Sequence, residues 1–337
     1  MDKLALMALA KALVAPGKGI LAADESTATA TRRLQSVGVE STAETRRAYR
    51  KMLLTTPEIE RYISGVILYD ETVRQKVAHT SFPVYIADRG IVPGIKVDTG
   101  AKALAGFPGE QITEGLDGLR ERLAEYVRLG CRFAKWRGVI GIGEGLPTLF
   151  CLEANAHALA RYAALCQEQG LVPVVEPEVL MEGDHTIERC EAATLATLRA
   201  LFAALAEHRV LLEGLLLKPN MVLAGKGCPV QAEVKAVAEV TLRTLRRTVP
   251  GAVPGIVFLS GGQEAELATA HLDAMNRAGA QPWEVSFSFA RALQDPALKA
   301  WRGLEANVPA AQSLFLKRAR LNGAARKGEY SVEMEQG

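Results

Sequence analysis

Short apolar runs along this chain end in lysines, arginines and carboxylates, a combination suited to chemistry between an amine and a carbonyl. Lys218 directly follows GLLL, so its stem leaves a buried strand. A lysine is a nucleophile only as the neutral amine, and an apolar surround plus a neighbouring cation disfavours its ammonium form. A depression of about three units from the ordinary value near 10.4 corresponds to roughly 4 kcal/mol, within reach of burial and one close cation. Lys135, in FAKWR, can supply that cation. Imine formation and carbon–carbon cleavage also need proton transfers, for which Glu176 and Asp24 are the acid/base candidates. Glu178, two residues after Glu176, reads equally well as a salt-bridge partner that neutralises a cation.

Side chains at i and i+2 of an extended strand share a face, so Lys135 and Arg137 point one way while Trp136 turns outward. The same spacing joins Glu176 to Glu178 and Lys96 to Asp98. Ser260-Gly261-Gly262, after GIVFL, has the make-up of an oxyanion cradle, and Arg291, after the following run, can add a cationic fork. The run RGVIGIGEG lacks the full G-x-G-x-x-G spacing and reads as an ordinary loop after a strand. The five histidines show no H-E-x-x-H or other close ligand spacing, which argues against a catalytic metal. Arg46-Arg47 and Arg246-Arg247 read as solvated helix faces.

What must position these groups is an alternation of strands and helices. Eight apolar runs read as strands: 19–24, 65–70, a segment within 84–98 holding VYIAD and GIKVD, 133–136, 172–176, 214–218, 255–260 and 285–289. Their near-continuous apolarity fits a parallel sheet covered on both faces. Helical periodicity fills 113–129, 153–169, 186–208, 231–247 and 263–278, with Gly130, Gly170 and Gly279 as stop signals. Ser41 with Glu44 reads as a capping box that opens a further helix through TRRAYRKMLL. Eight such units favour a closed (β/α)8 TIM barrel over a doubly wound open sheet, with the candidate residues at its carboxyl mouth.

Composition narrows the partners. The 337 residues are 49% hydrophobic and 23% charged, the profile of a folded globular protein. With 40 basic and 38 acidic residues, the net charge of +2 provides no field for nucleic acid or an anionic membrane, which leaves small molecules. Five cysteines without a C-x-x-C pair read as reduced, mostly buried thiols. The first twenty residues read as an amphipathic helix rather than a secretory signal, and no run of 18 apolar residues suggests a membrane span. The expectation is a cytoplasmic protein of one domain, residues 1–337, with an N-terminal helix and a short C-terminal tail from about residue 326.

Taken in order, GKGILAADES, GIKVD, FAKWR, VEPE, LLLKPNMV, FLSGGQ and the ARALQ segment resemble the class I fructose-bisphosphate aldolases, and RRTVP and ALKAW add to the match. The resemblance runs from Gly17 to Leu293. It implies a single (β/α)8 barrel, usually a homotetramer, that reversibly splits fructose 1,6-bisphosphate into dihydroxyacetone phosphate and glyceraldehyde 3-phosphate without metal or other cofactor. Lys218 then corresponds to the Schiff-base lysine and Glu176 to the principal proton-transfer residue. Asp24 and Lys135 correspond to groups that assist carbinolamine formation, dehydration and cleavage, and Glu178 to a second carboxylate near the lysine. Arg33, Lys96, Arg137, Ser260, Gly261, Ser288 and Arg291 match positions used for substrate or phosphate contacts.

The chain departs from the animal members of that family in three places. It ends SVEMEQG after Tyr330 rather than in a tail with a terminal tyrosine, so tail-assisted proton transfer is not expected. Phe289-Ala290 stand where the animal enzymes carry Tyr-Gly, and Arg32 replaces a lysine. Two other readings use the same residues: a Schiff-base aldolase or transaldolase for another phosphorylated sugar, and a non-catalytic barrel scaffold.

Overall fold

The computed structural model describes residues 2–336, among which eight parallel strands close a barrel. These are β1 (Gly19–Ala23), β2 (Ile63–Leu68), β3 (Val92–Lys96), β4 (Phe133–Ile140), β5 (Val172–Val179), β6 (Leu216–Leu217), β7 (Gly255–Phe258) and β8 (Glu284–Phe289). They neighbour one another in chain order, and β8 returns to β1 with Ser288 opposite Ile20 and Phe289 opposite Leu21. Helices between the strands cover the outside, the longest being Leu149–Glu168 and Ile187–Glu207. Strand faces turned outward pack under these helices: Trp136 stacks on Tyr162, ring centroids 5.6 Å apart. All five cysteines are free and buried. No helix among the described residues is long and apolar enough to cross a membrane.

The amino end of the barrel is sealed. The helix Lys3–Leu13 lays Leu6 and Leu13, followed by Val14, against Ile20, Ile67, Phe133, Val174 and Val257 from the barrel interior. Glycines make the fit: a Cβ on Gly94 would come within 2.3 Å of the Phe133 ring, and one on Gly255 within 2.6 Å of Val14 Cγ1. These strand glycines mark close approach of a large neighbour. Ser64 Oγ donates to the Leu13 carbonyl at 2.6 Å and Arg326 Nη2 to that of Val14 at 2.8 Å, which pins the plug to the wall.

Four sequence expectations are corrected. VYIAD is helical, within Phe82–Asp88, and Pro83 in its first turn suits that role because an amide hydrogen there has no helical partner. The helix expected from 113 begins at Leu119, because Gln111–Glu114 pairs with Gly100–Ala103 as a hairpin. The capping box is shifted by one residue: Thr42 caps and Thr45 answers, while Ser41 bonds Thr31 at 2.8 Å and Glu44 pairs with Arg47. Arg46 is not a solvated charge but grips Glu71 through two hydrogen bonds of 2.8 and 2.6 Å.

The C-terminal tail folds back onto the outer helices. Glu335 accepts from Arg318 and from the Tyr330 hydroxyl, and Arg318 is only 3% exposed. Removing residues 331–337 is expected to leave turnover largely intact, because these contacts lie on the helices and not at the barrel mouth. It should cost stability, about 3 kcal/mol for a buried guanidinium left without its carboxylate. Calorimetry of the truncated protein would show a lower melting temperature, and an unchanged melting curve or a severe loss of turnover would refute this account.

Candidate active site

At the carboxyl end, a cavity of about 690 Å³ is lined by every candidate named above: Asp24, Arg33, Lys96, Lys135, Arg137, Glu176, Glu178, Lys218, Ser260, Gly261, Ser288 and Arg291. The strands explain their convergence. Lys135 and Arg137 lie within β4, and Glu176 and Glu178 within β5, since both strands run farther than the apolar runs suggested. In the pairing of these strands, Arg137 is opposite Glu176 and Val139 opposite Glu178. Lys218 stands directly after β6, its amide donating to the Val175 carbonyl at 2.8 Å.

Glu176 sits between two lysine nitrogens. Its Oε2 is 2.8 Å from Lys135 Nζ and its Oε1 is 3.4 Å from Lys218 Nζ, and all three side chains are about 95% buried. Neither approach has the direction of a hydrogen bond, and Glu176 Oε2 is left without a hydrogen-bond partner. Lys135 Nζ donates to Asp24 Oδ2 at 3.0 Å. The two lysines consequently differ in how firmly each holds its proton. For Lys135, burial pulls the pKa down, but Asp24 and Glu176 overcome it and hold the ammonium form. For Lys218, burial prevails over the pull of Glu176 and Asp24, Lys135 adds repulsion, and the pKa falls below the ordinary lysine value. Burial pushes Asp24 up, but Lys135, Lys218 and Lys96 together outweigh it and bring its carboxyl down to about 2.

On one side of this core, Asp98 fixes Lys96 at 2.5 Å and also accepts from the amides of Gly100 and Arg137. Glu178 pairs with Arg137 and with none of the lysines within 4 Å, which favours the ion-partner reading of that carboxylate. Arg33 is held by Glu25, Asp295, Gln294 and Tyr49. Gln294 belongs to the same network, donating to the Ala22 carbonyl at 2.6 Å.

Opposite lies the cradle. Gly261 (φ +60°) and Gly262 (φ +84°) are both left-handed, a conformation that glycine adopts at little cost. The Gln263 amide closes the turn onto the Ser260 carbonyl at 3.0 Å, and Gln263 is in turn held by His271 Nδ1 at 2.6 Å. The helix Arg291–Trp301 starts beside it with no side-chain cap. Ser288 Oγ is buried on the cavity wall without a hydrogen-bond partner, so a bound ligand can satisfy it.

Sequence reasoning missed the supports: Gln294 acts through Arg33, 261 residues away, while Glu25 and His271 act through Arg33 and Gln263, eight residues away in each case. Arg32 and Tyr69 also line the cavity. Arg32 was noted only as a replacement, and Tyr69 stood unremarked at the end of an apolar run.

Comparison with known proteins bears on this arrangement. A family model described as fructose-bisphosphate aldolase class-I matches residues 5–337. The chain belongs to the class I fructose-bisphosphate aldolase family. It is 60% identical over 323 residues to a probable fructose-bisphosphate aldolase class 1 of Xanthomonas campestris pv. campestris, covering 95% of this chain and 97% of that one. With fructose-bisphosphate aldolase C of Carassius auratus it shares 51% identity over 332 residues, 98% of this chain and 92% of that one. Among solved structures, the fructose-bisphosphate aldolase of Plasmodium falciparum, crystallised with TRAP and a small-molecule inhibitor, superposes with a TM-score of 0.96. The two are 46% identical, with 97% and 95% of the chains covered.

Proposed function

We propose that this aldolase reversibly splits fructose 1,6-bisphosphate into dihydroxyacetone phosphate and glyceraldehyde 3-phosphate through a Schiff base on Lys218. The observation that carries the assignment of Lys218 is the asymmetry between the two buried lysines: Lys135 has two carboxylates within 3.0 Å and Lys218 one at 3.4 Å. Membership of the family supports the substrate. Borohydride reduction in the presence of dihydroxyacetone phosphate, followed by peptide mapping, tests the assignment: an adduct on Lys218 is expected, and an adduct elsewhere or none refutes it.

Lys218 passes its ammonium proton to Glu176, the neutral Nζ adds to the C2 carbonyl, and a proton moving from that nitrogen to the C2 oxygen gives the carbinolamine. Loss of that oxygen as water, with the proton supplied by Glu176, leaves an iminium. The C4 hydroxyl proton then leaves to the vacated Glu176 carboxylate, the C3–C4 bond breaks, and its electron pair enters the iminium as an enamine. Glyceraldehyde 3-phosphate departs with the new C4 carbonyl. Protonation at C3 and addition of water release dihydroxyacetone phosphate. Glu176 suits this traffic because its nearer oxygen accepts no directed hydrogen bond in the free site. Asp24, ionised throughout the neutral range, is the anchor that holds Lys135 as a cation beside the developing charges. Arg137, Lys96 and Arg33 on one wall, and Ser260, Gly261, Ser288 and Arg291 on the other, suit the two phosphates of the substrate.

Lys135→Met is expected to move the acid limb of kcat/KM to higher pH. The substitution removes a cation that repels the Lys218 ammonium and frees Glu176 and Asp24 to stabilise it, so Lys218 keeps its proton longer. A pH profile with the limb unmoved or moved lower would contradict the charge balance described. Assembly as a cytoplasmic homotetramer, each subunit a single barrel domain, belongs to the same proposal and rests on kinship with the family.

A further inference from the structure

Gly262 lies between two cations. A Cβ at this position would come within 2.8 Å of Arg291 Nη2 and equally within 2.8 Å of Lys226 Nζ, so these nitrogens stand at most about twice that distance apart. Two like charges so close repel unless an anion lies between them. The amides of Gly261 and Gly262 donate to no acceptor among the described residues, and the start of the Arg291–Trp301 helix, which has no side-chain cap, lines the same cavity as Ser260 and Gly261. A dianion here meets donors from backbone and side chain together.

Lys226 is aimed there by its backbone. Gly225, Lys226 and Gly227 donate to the carbonyls of His185, Met181 and Gly183, each at 2.8 Å, fastening the loop after β6 to the loop after β5. Gly225 is needed for this seam, since a Cβ there would lie 2.4 Å from the Gly183 oxygen. Met181, from the same loop, walls the turn, its sulfur 2.9 Å from where a Gly261 Cβ would be. The carboxylate near Lys226 is that of Glu182, 3.7 Å away, with the two side chains 45% and 66% exposed. A pair of that kind holds a lysine only weakly.

We propose that Lys226 is a substrate-positioning residue whose ammonium joins Arg291 in clamping the phosphate on the carbon next to the carbonyl that Lys218 attacks. The choice of phosphate follows from the barrel: β6, which ends at Lys218, pairs with β7, which leads into the cradle, Leu217 lying opposite Ile256. The phosphate one carbon from C2 reaches this neighbouring loop, while the far phosphate extends across the mouth. The inference rests on the Schiff-base reading of Lys218.

The test measures borohydride-trapped adduct against the concentration of dihydroxyacetone phosphate, and separately of unphosphorylated dihydroxyacetone. In Lys226→Met the half-saturating concentration of dihydroxyacetone phosphate is expected to rise roughly ten- to a hundredfold, the scale of one charge-assisted hydrogen bond. The maximal adduct on Lys218 stays the same, and dihydroxyacetone traps as in the parent protein. Lys226→Arg restores most of the affinity. Equal half-saturation for Lys226→Met and parent, with a normal adduct on Lys218, overturns the proposal alone. An equal loss for dihydroxyacetone overturns it as well, because the effect then has nothing to do with phosphate. Absence of an adduct in the parent protein removes the Schiff-base reading and this inference with it.

Discussion

Replacing Lys218 by methionine abolishes cleavage, with an expected loss of at least about 10⁴-fold in kcat, the scale on which enzymes lose rate when a covalent nucleophile is removed. Arginine in its place fails equally, because guanidinium keeps its proton throughout the accessible pH range. The comparison is informative because arginine preserves the positive charge beside Glu176 while removing the neutral amine. If charge alone mattered, Lys218→Arg would retain turnover. Both variants should give no adduct on borohydride reduction with dihydroxyacetone phosphate. Circular dichroism establishes that they are folded, and residual turnover within tenfold of the parent in either one would exclude covalent catalysis at this position.

Glu176→Gln is the second large effect. The amide matches the carboxylate in shape but neither gives up nor takes a proton at the pH of the reaction, so kcat should fall by about 10²- to 10⁴-fold, the usual contribution of a positioned acid/base group. The substitution also removes the anion that most favours the Lys218 ammonium. Lys218 then loses its proton more readily, and the acid limb of the residual kcat/KM moves to lower pH, opposite to the direction expected for Lys135→Met. These two consequences separate carrying protons from setting the charge of a neighbour. Were Glu176 only a counter-ion, the variant would match the parent's plateau rate and hold it to lower pH, and that is the outcome that sinks its assignment as proton carrier.

Much of this site is legible in the chain because a barrel strand covered on both faces is written as an apolar run, and the first polar residues to interrupt it lie near the mouth. Lys218 after GLLL and Ser260 after GIVFL are readable for that reason, and so is the shared face of Lys135 and Arg137. The limits are equally physical. VYIAD has the composition of a strand, but a run that short does not distinguish a strand from a buried helical turn, and Pro83 was the available clue. Ser41 and Thr42 are both good caps, and the choice was made by Thr31, ten residues earlier, which engages Ser41. Glu176 and Glu178 have the same spacing from an apolar run, yet one meets two lysines and the other an arginine, a difference created by pairing with β4. The Gln294–Arg33 bond spans 261 residues of chain and has no local trace.

The helix and phenylalanine stopper under the barrel imposes an order on departure. With Phe133, Leu13 and Val14 filling the space beneath Lys218, no back door is open for either fragment among the described residues. Both must leave by the opening through which the sugar came in. On the proposed Schiff base, one three-carbon piece remains tethered to Lys218 while the untethered aldehyde is free to go, and the aldehyde must vacate the mouth before water and a proton can release the second. Traffic through the site is thus a queue in single file, and its sequence is set by which fragment holds the covalent bond.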